Sequence, residues 1–144
     1  CREVDLNIAP HVVVGLHYGQ IRGERRALEM IRQAGPEAVI LVVLTPTGGT
    51  VMAEVLPPSL AEVGEVMAAA RLMNPSIPVS LGCARPPGQY KRQLEILAVD
   101  CGVNGIAYPD EATVAYAQGK GLQIMFSEEC CSLIGRSLKT GRGA

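Results

Sequence analysis

The 144-residue sequence has no tryptophan, one phenylalanine and four tyrosines. A core must therefore be assembled from Val, Leu, Ile, Ala and Met. Charge of one sign is also missing: 13 Lys and Arg face 14 Asp and Glu, a formal net charge of −1. That balance argues against nucleic-acid binding, which draws on a strong basic field. No apolar run is long enough to cross a bilayer, and no secretory signal pattern is present. A membrane partner is not expected, and the expected compartment is the cytoplasm. The longest apolar run, residues 38–44, has the length of a buried strand. The cysteines number five, at positions 1, 83, 101, 130 and 131, with no CxxC pair. An odd, scattered set without a secretion signal makes no disulfide framework and suits a reducing compartment. The sequence opens on Cys1 rather than Met, so the chain is expected to be a piece of a longer one.

What is present is an alternation. Residues 11–16 carry a β-branched run, followed by a glycine-rich turn and then a helical stripe of Ala27, Leu28, Met30 and Ile31. Gly35 and Pro36 should stop that helix. Residues 38–44 are apolar without alternation, as in a parallel strand covered on both faces. After a long connection, Ser59 with Glu62 three places on makes a capping box for a helix running to about Met73. A third strand is expected at 77–81, a third helix at 90–100, a fourth strand at 105–108 and a fourth helix from 110 to about 118. A fifth strand is expected at 122–126.

Strict alternation implies an α/β chain of parallel strands joined by right-handed crossovers. Four or five units cannot close an eight-stranded barrel, so half of a βα barrel and a small doubly wound sheet both remain. One domain is expected over residues 1–131. The polar, glycine-rich residues 132–144 read as a frayed tail.

In either architecture the strand-to-helix loops gather on one edge, where α/β proteins bind ligands. That edge collects His17, Tyr18 and Gly19, then Thr45 to Thr50, then Cys83 and Arg85, then Tyr108 to Asp110. The helix-to-strand turns hold little beyond glycine and proline, so the asymmetry marks the functional face. His17 suits a general acid or base, or a donor to a carboxylate or carbonyl; a packed strand-end histidine is the plain alternative. The TPTGGT turn at 45–50 suits an anion held on backbone amides or a simple turn, and it lacks the lysine and spacing of a P-loop. Arg85, stiffened by Pro86 and Pro87, suits a carboxylate or phosphate, or an ion pair with a nearby acidic residue. Cys83 reads as a ligand, a nucleophile or a small buried strand-end residue. Cys130 or Cys131 could hold a metal or an auxiliary cluster with ligands from elsewhere, or be an unreactive thiol pair.

The succession GLHYGQIRGE, TPTGGT, a helix ending in MNP, VSLGCARPPG and NGIAYP, covering about residues 11–131, resembles the C-terminal half of the radical S-adenosylmethionine barrel. The nearest branch is that of biotin synthase and lipoyl synthase. The resemblance implies a TIM-like half-barrel in which Gly15, Gly19 and Glu24 seat the adenosyl part of S-adenosylmethionine. It further implies that Arg85 touches the ribose or methionine part and that backbone around Ile106, Ala107 and Tyr108 flanks the adenine. Two departures stand out: His17 replaces a branched apolar residue, and Glu24 falls two places late, which leaves His17 for substrate. The three-cysteine motif of the family's [4Fe–4S] cluster is absent from the sequence. The cluster would then be held by residues outside this chain. The implied partners are a missing N-terminal half-barrel or a second copy of the chain. The implied reaction is sulfur insertion or related radical chemistry on a small or carrier-protein-bound substrate, inactive without the other half. Competing readings are a corrinoid-binding module, faintly echoed by His17 to Gln20 and Gly48-Gly49, and a phosphate-binding barrel fragment.

Overall fold

The computed structural model describes residues 6–140. Four strands alternate with four helices: β1 (His11–Val14), α1 (Glu24–Ala34), β2 (Val39–Val43), α2 (Leu60–Met73), β3 (Val79–Leu81), α3 (Gln89–Asp100), β4 (Gly105–Ile106) and α4 (Glu111–Gly119). A short 3-10 turn (Cys131–Leu133) leads into α5 (Ile134–Thr140). The strands form one parallel sheet in the order β1-β2-β3-β4, with Val12 opposite Leu41, Leu41 opposite Leu81, and Leu81 opposite Ile106.

Strand alternation explains how the sheet is covered. Val12, Val14, Val39, Leu41, Val43, Val79 and Leu81 pack with Leu28, Val63, Met67 and Leu94 of the helices in one buried cluster. Each helix packs on its sequence neighbour, α1 on α2, α2 on α3 and α3 on α4, so the four form a single layer. The opposite face presents Ala38, Ile40 and Val42, against which Ala9, Val13, Cys131 and Ile134 pack. All five residues of β2 are buried, as a run without alternation requires.

The expected helix signals act as read. Gly35 adopts the left-handed conformation (φ 63°) and its N–H reaches the Arg32 carbonyl, closing α1. Ser59 and Glu62 make the reciprocal capping box of α2. Ser59→Ala removes the side-chain half of that exchange and should lower stability by about 1 kcal/mol, read as a shifted urea midpoint with an unchanged slope.

Two expectations fail. Residues 122–126 form no strand. Its template would be β4, and a two-residue strand offers a short ladder. The segment must also carry the chain from α4, which packs on α3, to Cys131 and Ile134 on the other face. Met125 and Phe126 stay exposed on the way. The expected tail is not frayed through residue 140, because residues 134–140 are helical. Ile134 occupies the space that a side chain on Gly105 would need, and Gly135 packs against the Glu37 carbonyl. Residues 1–5 and 141–144, including Cys1 and the end of the expected tail, lie outside the described residues. Among the described residues, no helix is long and apolar enough to cross a membrane.

Candidate functional site

The parallel sheet brings the carboxyl ends of β1, β2, β3 and β4 to one edge, and with them the loops that hold the candidate residues. Two buried glutamates organise that edge.

The first is Glu24, the opening residue of α1, 5% exposed. One carboxylate oxygen accepts the Gly15 N–H at 2.8 Å; the other accepts the N–H of Arg22 at 2.8 Å and of Gly23 at 2.9 Å. Burial pushes its pKa up, but the amides of Gly15, Gly23, Glu24 and Arg22 outweigh it, and the carboxyl sits below its usual range. Glu24 was expected to seat a cofactor. Its acceptor capacity is instead spent inside the loop, whose entry and exit it ties together.

Gly15 (φ 82°) and Gly19 (φ 80°) both occupy the left-handed region. A Cβ on Gly15 would strike the ring of Pro58, and one on Gly19 would strike the Leu56 carbonyl oxygen. These glycines therefore seat the long β2–α2 connection against the β1–α1 loop. The Tyr90 hydroxyl, donated to the Pro58 carbonyl at 2.7 Å, anchors that connection from α3. Burial, followed by the negative charge of Glu62, pushes the Tyr90 phenol up to about 12.

The second glutamate is Glu95 in α3, with no exposed surface. One oxygen pairs with Arg85 at 2.6 Å and Lys91 at 2.8 Å. The other accepts the Asp110 N–H at 2.9 Å and the Thr113 hydroxyl at 2.7 Å. Burial again raises the pKa, and the bonds from Lys91, Asp110 N–H, Thr113 and Arg85 bring it below the usual carboxylate range. Lys91 also pairs with Asp110.

Arg85 lies inside this network rather than in a ligand loop. Its guanidinium donates to the carbonyls of Gly82 at 2.5 Å, of Tyr108 at 3.2 Å and of Ala107. Among the described residues its Nε is the buried side-chain polar atom without a partner. Of the two readings open for Arg85, the ion pair is the one observed, and its task is to tie the loops after β3 and β4 together. A cofactor contact by its planar fork would require breaking those bonds.

The remaining candidates stand at the surface. His17 is exposed, and its Nε2 accepts from Arg22 Nη1 at 2.8 Å. Tyr108, on the loop after β4, is exposed and holds a left-handed backbone (φ 48°). Ile106 is half-buried, between the β3 ladder and that loop. In the TPTGGT turn the Thr45, Thr47 and Thr50 hydroxyls donate to carbonyls of Val43, Thr45 and Thr47, so the hydroxyls serve the turn itself.

Cys130 is exposed and bonds Ser132, whereas Cys131 packs inward on Ile40 and Val42. The two thiols are in contact with each other, and no group of three or more His, Cys, Asp or Glu among the described residues is placed to hold a metal.

A cleft of about 360 Å³ lies at the opposite edge, between the end of α2, the turn before β3 and α5. Its cation, Arg71, is committed to the carbonyls of Asn74 and Ile77 and to the Asn104 side chain. It lacks the convergent free polar groups of a ligand site.

Sequence reasoning placed Asp110 on this edge but missed Glu95, Lys91 and Thr113. The signal was present: Leu94 and Ala98 mark the buried face of α3, and Glu95 sits between them with Lys91 four residues before it. The chain matches no family model, no curated protein and no solved structure.

Proposed function

We propose that this chain is the C-terminal half of a radical S-adenosylmethionine enzyme barrel, acting on a small or carrier-bound substrate once a cluster-binding half joins it. The observation that supports this most is the strand order. Four parallel strands in sequential order, with the helices in one layer, are what half of a βα barrel needs. A doubly wound sheet reverses its strand order at a switch point, and no reversal occurs here. The order therefore counts against the corrinoid-module alternative.

The fit to the cofactor is partial. His17, Tyr18 and Tyr108 are the exposed residues that these two loops offer to an adenosyl group, while the side chains of Glu24 and Arg85 hold the loops in place. When bound beside its cluster, the cofactor supplies hydrogen-abstraction chemistry. This chain's own part is to fix the two loops and to offer His17 to the substrate. The [4Fe–4S] cluster belongs to residues elsewhere, and the edges of β1 and β4 are where a second half-barrel would pair.

Reassembly tests the proposal. The chain mixed with an N-terminal half-barrel bearing CxxxCxxC, iron and sulfide should turn brown, and on reduction with S-adenosylmethionine should release 5′-deoxyadenosine. A red complex of the isolated chain with a corrinoid, and no product from the mixture, would overturn it.

A further inference from the structure

Two non-glycine residues among those described have a positive φ, Tyr18 (50°) and Tyr108 (48°). A bulky residue pays roughly 1–2 kcal/mol for that conformation, and glycine would adopt it without cost. Tyr18 gains no burial in return, since it is 58% exposed. The backbone there is held by its own hydrogen bonds, Tyr18 N–H to the Leu16 carbonyl and Gly19 N–H to the Gly15 carbonyl, so the turn itself does not call for a tyrosine. Strain of this kind collects where a side chain is displayed for use.

What surrounds the displayed ring defines its use. The His17 ring stands at 88° to Tyr18 with centroids 5.8 Å apart, which makes a right-angled corner. Such a corner takes a flat ring, face to one wall and edge to the other. Leu16, which precedes His17 in the chain, is also exposed. The Leu56 carbonyl lies against Gly19. Arg22 donates to His17 Nε2 at 2.8 Å. Because a guanidinium has only donors, the His17 Nε2 is the acceptor in this contact. The rest of the Arg22 fork lies at the surface and suits a carboxylate.

We propose that the corner of His17 and Tyr18, with Arg22 at its side, binds a planar aromatic carboxylate. This rests on the reading above only in placing substrate at the β1–α1 loop. It would make the substrate a ring acid, held by its face on Tyr18 and by its anion on Arg22.

The two histidines of the chain make the test clean. Benzoate, added to the whole chain, should shift the ring C–H signals of His17 saturably and leave those of His11 in place. Acetate, which has the charge without the ring, and benzyl alcohol, which has the ring without the charge, should each bind at least about tenfold more weakly, the size of one such contact. Tyr18→Gly should weaken benzoate by about tenfold, again one aromatic contact, while the melting temperature holds or rises. Arg22→Ala should remove the advantage of benzoate over benzyl alcohol.

The inference is overturned if acetate binds as well as benzoate, if His17 does not respond, or if Tyr18→Gly lowers the melting temperature, which would make the ring a packing element. No cofactor enters this titration, so its failure would leave the reassembly experiment untouched, and the reverse holds.

Discussion

Glu95→Ala should be the most damaging single substitution on the functional edge, costing about 3–5 kcal/mol, the usual loss when one partner of a buried ion pair is removed. Arg85 would keep its charge at 6% exposure with only carbonyls for company, and the Asp110 N–H and the Thr113 hydroxyl would lose their acceptor. Urea unfolding followed by circular dichroism should show a midpoint collapsed toward zero. Glu95→Gln, which keeps one carbonyl acceptor, should lie between. The double variant Glu95→Ala/Arg85→Ala should cost less than the two single variants together, because it leaves no orphaned charge.

The same network sets an acid limit. The Glu95 and Glu24 carboxyls both have folded pKa values below their ordinary 4.5. A group depressed on folding binds fewer protons in the native state. Its contribution is therefore complete above the unfolded value and is lost as pH falls below about 4.5 through the folded value. Stability should be flat from neutrality to about pH 5, where both groups are ionised in either state, and fall steeply below that. In Glu95→Gln the fall should be shallower. An equally steep fall would remove Glu95 from the explanation.

Gly19→Ala is the second large effect. The added methyl has two costs: a left-handed backbone, roughly 1–2 kcal/mol, and a collision with the Leu56 carbonyl, about 1–3 kcal/mol for an overpacked site. A backbone oxygen cannot rotate away as a side chain can, so the β2–α2 connection must lift. Gly49, also at positive φ (79°) but with open space around its Cβ position, isolates the first cost; Gly48, with neither feature, should tolerate alanine. The expected order of destabilisation is Gly19, Gly49, Gly48. Equal losses at Gly19 and Gly49 would show that the packing contact carries nothing.

These effects mark where sequence reasoning succeeded and where it stopped. The capping box at Ser59, the stop at Gly35 and the buried run of β2 were legible because each depends on neighbours in the chain. The special backbone at Gly15 and Gly19 was legible as well, but its purpose was not. Pro58 and Leu56 lie some forty residues away, and nothing local says that a glycine is kept for them. Glu24 and Arg85 were singled out as unusual residues, and an ion pair was one of the two readings for Arg85; which amides and which glutamate they meet was not legible, because a charged residue in a loop reads as ligand-facing until the chain that returns to cover it is known. Glu95 was passed over because a helix glutamate ordinarily faces water. Residues 122–126 had the composition of a strand, and only the two-residue length of β4 and the crossing to the other face show why none forms. A consequence for experiment follows directly: Arg85→Ala, an obvious probe of cofactor binding from the sequence, would instead release the loops after β3 and β4, so it cannot separate binding from folding.

The most direct test of the central proposal is an amide-resolved NMR titration of the chain with S-adenosylmethionine. The expected result is a saturable shift confined to the amides of residues 15–19 and 106–108, with the core strands unmoved. No saturable shift in either loop, or shifts gathered at the cleft of Arg71, Pro75 and Asn104 on the opposite edge, would contradict it.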